Sequence, residues 1–252
     1  MQSKRRGKVH KRCSWVWRIR RRGKVLIRPP EETPFTQKNV LGIAIAGSSL
    51  TRERGQRHVA LVYKQASRAL VMLHLGWNKT LLYQRWEARH YSWIEMDGID
   101  PDVQELFCDW AEIVAISSRT GIHPIPYSAF FRPTGNFDAS GNFVNMQDGS
   151  GLTCSTFILA LFSDYKLPLI DAASWPARIE DARWFRKIWG KLRRIDPILS
   201  KIDLILQFKR RRQLRRFRPE EVLAAGSLYS GSELNFASVS QRVSSFSTAL
   251  PR

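Results

Sequence analysis

The chain has 252 residues, 43% of them hydrophobic, so it is long enough for one sizeable core with extensions. Its net charge of +19 is uneven: residues 1–28 hold twelve Lys or Arg and no acid, and residues 183–218 hold fourteen against two Asp. The rest is mildly acidic. This favours two basic flanks that contact a polyanion, either nucleic acid or an anionic membrane surface, although solvated surface charge is the alternative.

Several classes of protein are disfavoured by the sequence. The longest apolar run, 157–162, is too short to span a bilayer and the N-terminus lacks an apolar signal core, so we expect a cytoplasmic protein without a transmembrane segment. Cys13, Cys108 and Cys154 are widely spaced with no C-x-x-C pair, which predicts free thiols and no metal site. "GIAIAG" lacks the Lys and Ser or Thr of a phosphate loop, so no cofactor is expected.

The first half of the chain predicts an arm and then a sheet. Residues 1–34 alternate basic clusters with Trp15 and Trp17 and end in prolines, as in a basic arm and linker. A catalytic domain is predicted over residues 35–175. Its runs "NVLGIAIAGSS", "RHVALVYK", "RALVMLHLGW" and "HYSWIEM" predict four antiparallel strands.

Helical periodicity begins after these strands. A helix is predicted with Asp100 as cap and Pro101 in its first turn, and its buried stripe is expected to hold Val103, Leu106, Phe107, Trp110, Ile113 and Val114. A second helix is predicted over residues 154–165. The basic extension, 176–226, predicts two basic amphipathic helices, the second capped by Asp196, and a short helix that stops at Gly226. Residues 227–252 are expected to form a Ser-rich mobile tail.

Together these elements predict an α+β fold. A small antiparallel sheet packs on the helix that bears Cys154, and basic C-terminal helices are appended to it.

One cysteine lies where its chemistry is favoured. In "DGSGLTCSTF" the glycines permit a sharp turn, and Cys154 begins the helix that follows. Unpaired N–H groups and the dipole at a helix N-terminus favour a thiolate, so a lowered thiol pKa is expected. The alternative is an inert core thiol, since free Cys is among the most buried residue types.

A nucleophilic thiol also needs a base and a group that orients the base. All five histidines, at 10, 58, 74, 90 and 123, precede Cys154, so the base must come from upstream. His58 and His74 fall on neighbouring predicted strands, where cross-strand side chains come within about 5 Å. Hydrogen-bonded sheet histidines are the alternative. For the orienting group, the other candidates are His90, Glu95 and Asp97.

These motifs carry a family resemblance. "RHVALVYKQASRALVMLHLGW" followed far downstream by "LTCSTFILALF" resembles the circularly permuted NlpC-type papain-like superfamily, which includes relatives of lecithin retinol acyltransferase. The resemblance covers roughly residues 40–171. It implies Cys154 as nucleophile, His58 as base and His74 as the orienting residue. "IPYS" is similar to the Pro-Tyr of unpermuted members, which implies Tyr127 as a site wall or oxyanion helper.

Two departures from the family pattern are visible. The interval between the two histidines is longer than in the acyltransferase branch, and Thr153 stands where Asn or Asp is common before the cysteine.

The expected activity is that of a cysteine hydrolase. It cleaves a peptide, isopeptide or other amide bond through a thioester on Cys154, and the backbone N–H of Cys154 helps to hold the oxyanion. A thiol acyltransferase or esterase is one alternative. Another is a catalytically inert papain-like module that binds nucleic acid or anionic membrane through its basic flanks.

Overall fold

The computed structural model describes residues 27–28, 40–47, 56–64, 69–86, 90–119, 124–145, 149–195, 205, 209 and 214–246. Three features named above lie outside the described residues: the arm with Trp15 and Trp17, the residue Cys13, and most of the helix predicted after Asp196. Within that helix only Ile205 and Lys209 are described, and both are helical.

A five-stranded antiparallel sheet forms the centre of the fold, in the order β4-β3-β2-β1-β5. The strands are β1 (Leu41–Ala46), β2 (His58–Lys64), β3 (Leu70–Trp77), β4 (Thr80–Arg85) and β5 (Tyr91–Glu95). β1 and β2 are buried on both faces because their sequences are nearly continuous apolar runs. β4 is an edge strand that sequence reasoning missed.

Five α-helices accompany the sheet in the part of the chain that the structure describes. They are α1 (Pro101–Arg119), α2 (Cys154–Asp164), α3 (Ile179–Ile195), α4 (Pro219–Leu228) and α5 (Phe236–Phe246). The α+β class is thereby confirmed. α2 packs against β2 and β3, and α4 packs against β1, β2 and β5, so both helices belong to the main core. Among the described residues, no helix is both long and apolar enough to cross a membrane.

The buried stripe of α1 differs from the prediction. Leu106 and Ile113 are 59% and 43% exposed, whereas Phe107 and Val114 are buried as expected. The helix is turned so that Gln104 enters the core, where its Oε1 accepts the N–H groups of Val40 and Leu41 at 3.0 and 3.1 Å. Its amide donates to two further carbonyls. A buried glutamine whose hydrogen bonds are all satisfied is compatible with a protein core. The predicted stripe did not include Gln104 because its side chain is polar.

Two predictions at the C-terminal end were wrong. Gly226 does not stop its helix: α4 continues to Leu228, and Gly226 is buried against β1, where a Cβ would lie 2.5 Å from Cδ1 of Ile43. The Ser-rich segment contains α5, with Val239 and Phe246 buried. At the other end of the chain, the N–H of Arg28 donates to the carbonyl of Trp93 at 2.9 Å, which joins the last residue of the basic flank to β5.

The close packing of the end of α4 is testable at Gly98. A Cβ there would lie 1.7 Å from the carbonyl oxygen of Tyr229, a backbone atom that cannot turn aside. We therefore expect Gly98→Ala to lower the free energy of unfolding by about 1–3 kcal/mol, measured by urea titration. Gly190 in α3 has nothing within 4 Å of its Cβ position, so Gly190→Ala should raise stability slightly. Equal effects of the two substitutions would contradict this packing.

Candidate active site

The start of α2 is fixed by a reciprocal pair of threonines. Thr153 is the N-cap: its Oγ1 accepts the N–H of Thr156 at 3.2 Å, and its own N–H donates to Oγ1 of Thr156 at 2.7 Å. This capping box explains why threonine serves at this position. Cys154 follows as the first helical residue, and the apolar residues behind it are buried. The thiol is therefore carried by a rigid helix end.

The segment before the helix is held from the other side by Tyr127. Tyr127 and Leu152 form an isolated parallel bridge, and the N–H of Leu152 donates to the carbonyl of Pro126 at 2.8 Å. Gly151 makes this approach possible, because its φ is +148° and a Cβ would lie 2.3 Å from the Pro126 oxygen. The N–H of Tyr127 donates to Asn78 at 2.9 Å. Thus "IPYS" is joined directly to the residues leading to Cys154.

The backbone N–H of Val59, the residue after His58, lies near the Cys154 sulfur and helps to lower the pKa of this thiol. The geometry of the sheet explains why this N–H is available. Lys64 donates to Val40 in the β1–β2 ladder, so by alternation the N–H of Val59 points toward β3. The β2–β3 register begins only at Leu61–Leu73, which leaves Val59 beyond the ladder. The thiol thus lies near the end of the β2–β3 ladder, close to Val59.

The two histidines are in direct contact. Nε2 of His58 and Nδ1 of His74 lie 2.7 Å apart, and their rings meet edge to face with centroids 4.7 Å apart. Both side chains are buried. Arg57, immediately before His58, pairs with Glu220 of α4 at 3.5 Å, so the start of β2 is also tied to a helix. The structure brings together the pair that the sequence predicted from neighbouring strands.

Strand alternation places the thiol and the imidazoles relative to the sheet. Val59 and Leu61 face the core that contains α2, and Cys154 packs against the same core. His58 and His74 belong to the opposite face, with Ala60 and Met72. Among the described residues, the hydrogen bond of His58 is to His74, and none joins the Cys154 sulfur to either imidazole. The N–H of Val59 links the two sides, because its nitrogen is separated from Cα of His58 by one carbonyl carbon.

Burial sets the charge state of these groups. It raises the pKa of the Cys154 thiol, an effect opposed by hydrogen bonds from Val59 and Ser155 and by the charge of Arg216. Burial also lowers the pKa of His58 to about 4 and, with the neighbouring His58, that of His74 to about 3. The resting site is a neutral thiol beside neutral imidazoles. The expectation of a lowered pKa for the Cys154 thiol was wrong for the resting site. Desolvation raises this pKa by more than the N-terminus of α2 lowers it.

Two more side chains belong to the site. Tyr127 is buried, stacks on Trp77 with centroids 4.7 Å apart, and interacts electrostatically with Cys154 and Arg216. The role of Tyr127 as a wall of the site stays a prediction. Arg216 was missed by sequence reasoning, because it lies within a run of basic residues that looked like charged surface. No signal in the linear pattern separates it from its neighbours.

The other candidates lie apart. His90 is exposed before β5, two strands from β2, and Glu95 is at the far end of β5, where it pairs with Arg28 at 2.8 Å. Asp97 follows Glu95. His123 lies outside the described residues. Cys108 is buried in α1, where burial raises the pKa of its thiol. Of the alternatives for the orienting group, only His74 contacts His58.

Two other features are separate from this cluster. A cavity of about 400 Å³ is lined by Leu159 and Ser163 of α2, five and nine residues beyond Cys154, and does not include the thiol or either histidine. No group of three or more His, Cys, Asp or Glu among the described residues is arranged to hold a metal ion.

Comparisons with known proteins give no match: no protein-family model, no curated protein and no solved structure matches this chain. The resemblance to NlpC-type papain-like proteins therefore stays a prediction.

The buried histidine pair predicts an acid-sensitive fold. Each pKa is lower in the folded protein than the ordinary 6.5, so unfolded chains bind more protons and stability falls as the pH drops from about 6.5 toward 4. At pH 5 we expect a loss of about 2 kcal/mol for each histidine, measured by urea unfolding relative to pH 7.5. Replacing both by Asn should flatten this dependence, whereas His90→Asn should not. Equal slopes for the two variants would contradict the buried pair.

Proposed function

We propose that the protein is a cysteine hydrolase that cleaves a peptide, isopeptide or other amide bond, with Cys154 as nucleophile, His58 as base and His74 as the residue that orients it. One observation carries the proposal: Cys154 begins α2 near the N–H of Val59, and Val59 follows His58, whose ring is hydrogen-bonded to His74 at 2.7 Å. A nucleophile, a base and an orienting group in one cluster are the parts that thiol acyl chemistry needs.

The tautomer of the histidine pair follows from this role. His58 must have one ring nitrogen without a proton, so its Nε2–H donates to Nδ1 of His74 and its Nδ1 is left to act as the base. His74 then has its proton on Nε2, an atom that is buried and without a hydrogen-bond partner among the described residues. In this arrangement, His74 shares the positive charge that His58 gains when His58 accepts a proton.

The reaction proceeds in two halves. As a substrate carbonyl approaches, Nδ1 of His58 takes the thiol proton while the sulfur forms a bond to the carbonyl carbon. The resulting oxyanion lies toward the backbone N–H of Cys154, with Tyr127 alongside. The intermediate expels the amine, which takes the proton from His58, and leaves a thioester. Water then loses a proton to His58, attacks the thioester and releases the acid, which restores the thiol.

Neutral resting groups suit this sequence of steps. Because burial keeps Cys154 as a thiol and His58 as a base, the proton moves when the carbonyl is in place and the developing charges stabilise each other. An acceptor other than water would resolve the same thioester as an acyl transfer. The thioester is common to both outcomes, and the acceptor determines which one occurs.

A second candidate function is polyanion binding through α3. One side of this helix is buried through Phe185, Ile188 and Leu192. The residues exposed on its other side include Arg183, Arg186, Lys187, Arg193 and Arg194. A rigid row of cations on a packed helix favours contact with phosphates of nucleic acid or of an anionic membrane. These cations are separate from Cys154 and the two histidines, so one protein can carry out both functions.

The hydrolase proposal predicts a covalent intermediate on one cysteine. With p-nitrophenyl acetate, we expect a burst of about one nitrophenolate per chain and an acetyl group on Cys154 detected by mass spectrometry. Cys154→Ala should abolish the burst. His58→Ala should slow acylation by about 10²–10⁴-fold, because the base is lost, and His74→Ala should slow it less.

The buried Cys108 provides the matched control. Cys108→Ala should retain the burst, since this thiol lies in α1 away from both histidines. Acetylation of Cys108 at the rate of Cys154, or an undiminished burst in folded His58→Ala, would contradict the proposal.

Polyanion binding is tested with a charge reversal on α3. Arg186→Glu should weaken binding to a DNA oligonucleotide or to anionic vesicles and reduce the salt slope by about one for each lost phosphate contact. Arg85 is exposed on the edge strand β4, so Arg85→Glu, which changes the net charge by the same amount, is the control. Identical losses from both changes would show that only net charge matters.

A further inference from the structure

The guanidinium of Arg216 stands out among the charges near the thiol. It lies over the ring of Trp184, 4.2 Å from the centroid, and its backbone N–H donates to Asp181 at 3.4 Å. The side chain is partly buried, yet it has no hydrogen-bond or ion-pair partner within the described ranges. Asp181 and Glu220 attract this charge without forming an ion pair with it. A largely desolvated cation is usually paired, so Arg216 is an incomplete ion pair.

The nearby carboxylates are already engaged by other arginines. Asp181 pairs with Arg178 at 3.1 Å and with Arg218 at 3.5 Å. Glu221 pairs with Arg178, and Glu220 pairs with Arg57 at 3.5 Å. With Arg216 included, four arginines accompany three carboxylates among these described residues. This group therefore has one cation in excess, and Arg216 is the one that takes part in none of these ion pairs.

The charge of Arg216 acts on groups of the candidate active site. Arg216 interacts electrostatically with the Tyr127 hydroxyl and with the Cys154 sulfur. Trp184, on which it lies, packs with Tyr127 and Trp77 in one apolar cluster. The guanidinium thus lies on the Tyr127 side of the candidate site, through its contact with Trp184.

We propose that Arg216 binds a carboxylate of the substrate, so that the preferred acyl substrates have an anionic group close to the scissile carbonyl. This rests on the proposed function for its chemistry and deepens it by naming a substrate class. A guanidinium held flat on an indole ring presents its N–H edge to a planar carboxylate and forms two parallel hydrogen bonds. Arg216 is then a specificity-determining residue, and Cys154 with the histidines remains responsible for bond cleavage.

Stabilising the thiolate is the competing role for the same charge. The two roles differ in what the reagent must contain: a carboxylate site favours an anionic electrophile over a neutral one, whereas a thiolate site favours both equally. Iodoacetate and iodoacetamide form this matched pair, because they alkylate sulfur with the same displacement of iodide and differ only in charge.

The experiment measures alkylation of Cys154 by each reagent at one mildly alkaline pH. For the wild-type protein we expect the iodoacetate to iodoacetamide rate ratio to exceed that of N-acetylcysteine by about tenfold, the effect of one charge-assisted hydrogen-bonding pair. Arg216→Gln should reduce the ratio to that of N-acetylcysteine. Arg215 is an exposed neighbour that donates to the carbonyl of Ala172 at 3.3 Å, so Arg215→Gln should retain the preference.

A second measurement uses the wild-type protein alone and does not depend on how well a variant folds. Sodium propionate should slow iodoacetamide labelling of Cys154, whereas sodium chloride at the same ionic strength should not. Protection by inorganic phosphate but not by propionate would overturn the carboxylate assignment. So would a wild-type rate ratio equal to that of N-acetylcysteine.

The outcomes separate this inference from the hydrolase proposal. If Cys154 shows the anion preference but no acylation burst, the carboxylate site stands and the hydrolase fails. If the burst occurs without anion preference, the hydrolase stands and Arg216 has no part in choosing the substrate.

Discussion

The candidate site depends on the closeness of the Val59 N–H to the sulfur of Cys154. This N–H is available because β2 continues past the end of its ladder with β3, which leaves it without a strand partner. A helix that began one turn earlier or later would not meet this N–H. The Thr153 capping box and the Tyr127–Leu152 bridge both fix that starting point. The sheet end and the helix end therefore define the site together.

Sequence reasoning predicted the parts of the fold whose signal is local. β1 and β2 are strongly apolar runs, and α2 begins at Cys154 because glycines and Thr153 precede a buried stretch. The pairing of His58 with His74 followed from their places on adjacent strands. These inferences needed only strand alternation and helix-capping chemistry. The direct contact between the rings was the most specific expectation drawn from the two motifs.

The missed features depend on contacts between distant residues. β4 has mostly exposed side chains at the sheet edge, so no apolar run marks it. Gln104 and Gly226 enter the core because of the residues against which they pack. Arg216 is distinguished by the position of its guanidinium over Trp184, a contact that the sequence does not reveal. α5 carried a readable signal, with Phe236, Val239, Val243 and Phe246 at helical spacing, but serine-rich composition obscured it. The raised pKa of the Cys154 thiol likewise results from burial, which depends on distant packing and is not visible in the sequence.

The central claim is that one imidazole serves the Cys154 thiol. A crystal structure of the protein acylated or trapped at Cys154 by a peptide aldehyde tests it most directly, since the trapped adduct has the geometry of the intermediate. The account predicts Nδ1 of His58 within about 4 Å of the sulfur, Nε2 of His58 still bonded to His74, and the adduct oxygen at the N–H of Cys154. An adduct with the His58 ring turned away from the sulfur, or with its oxygen in solvent, would contradict the account.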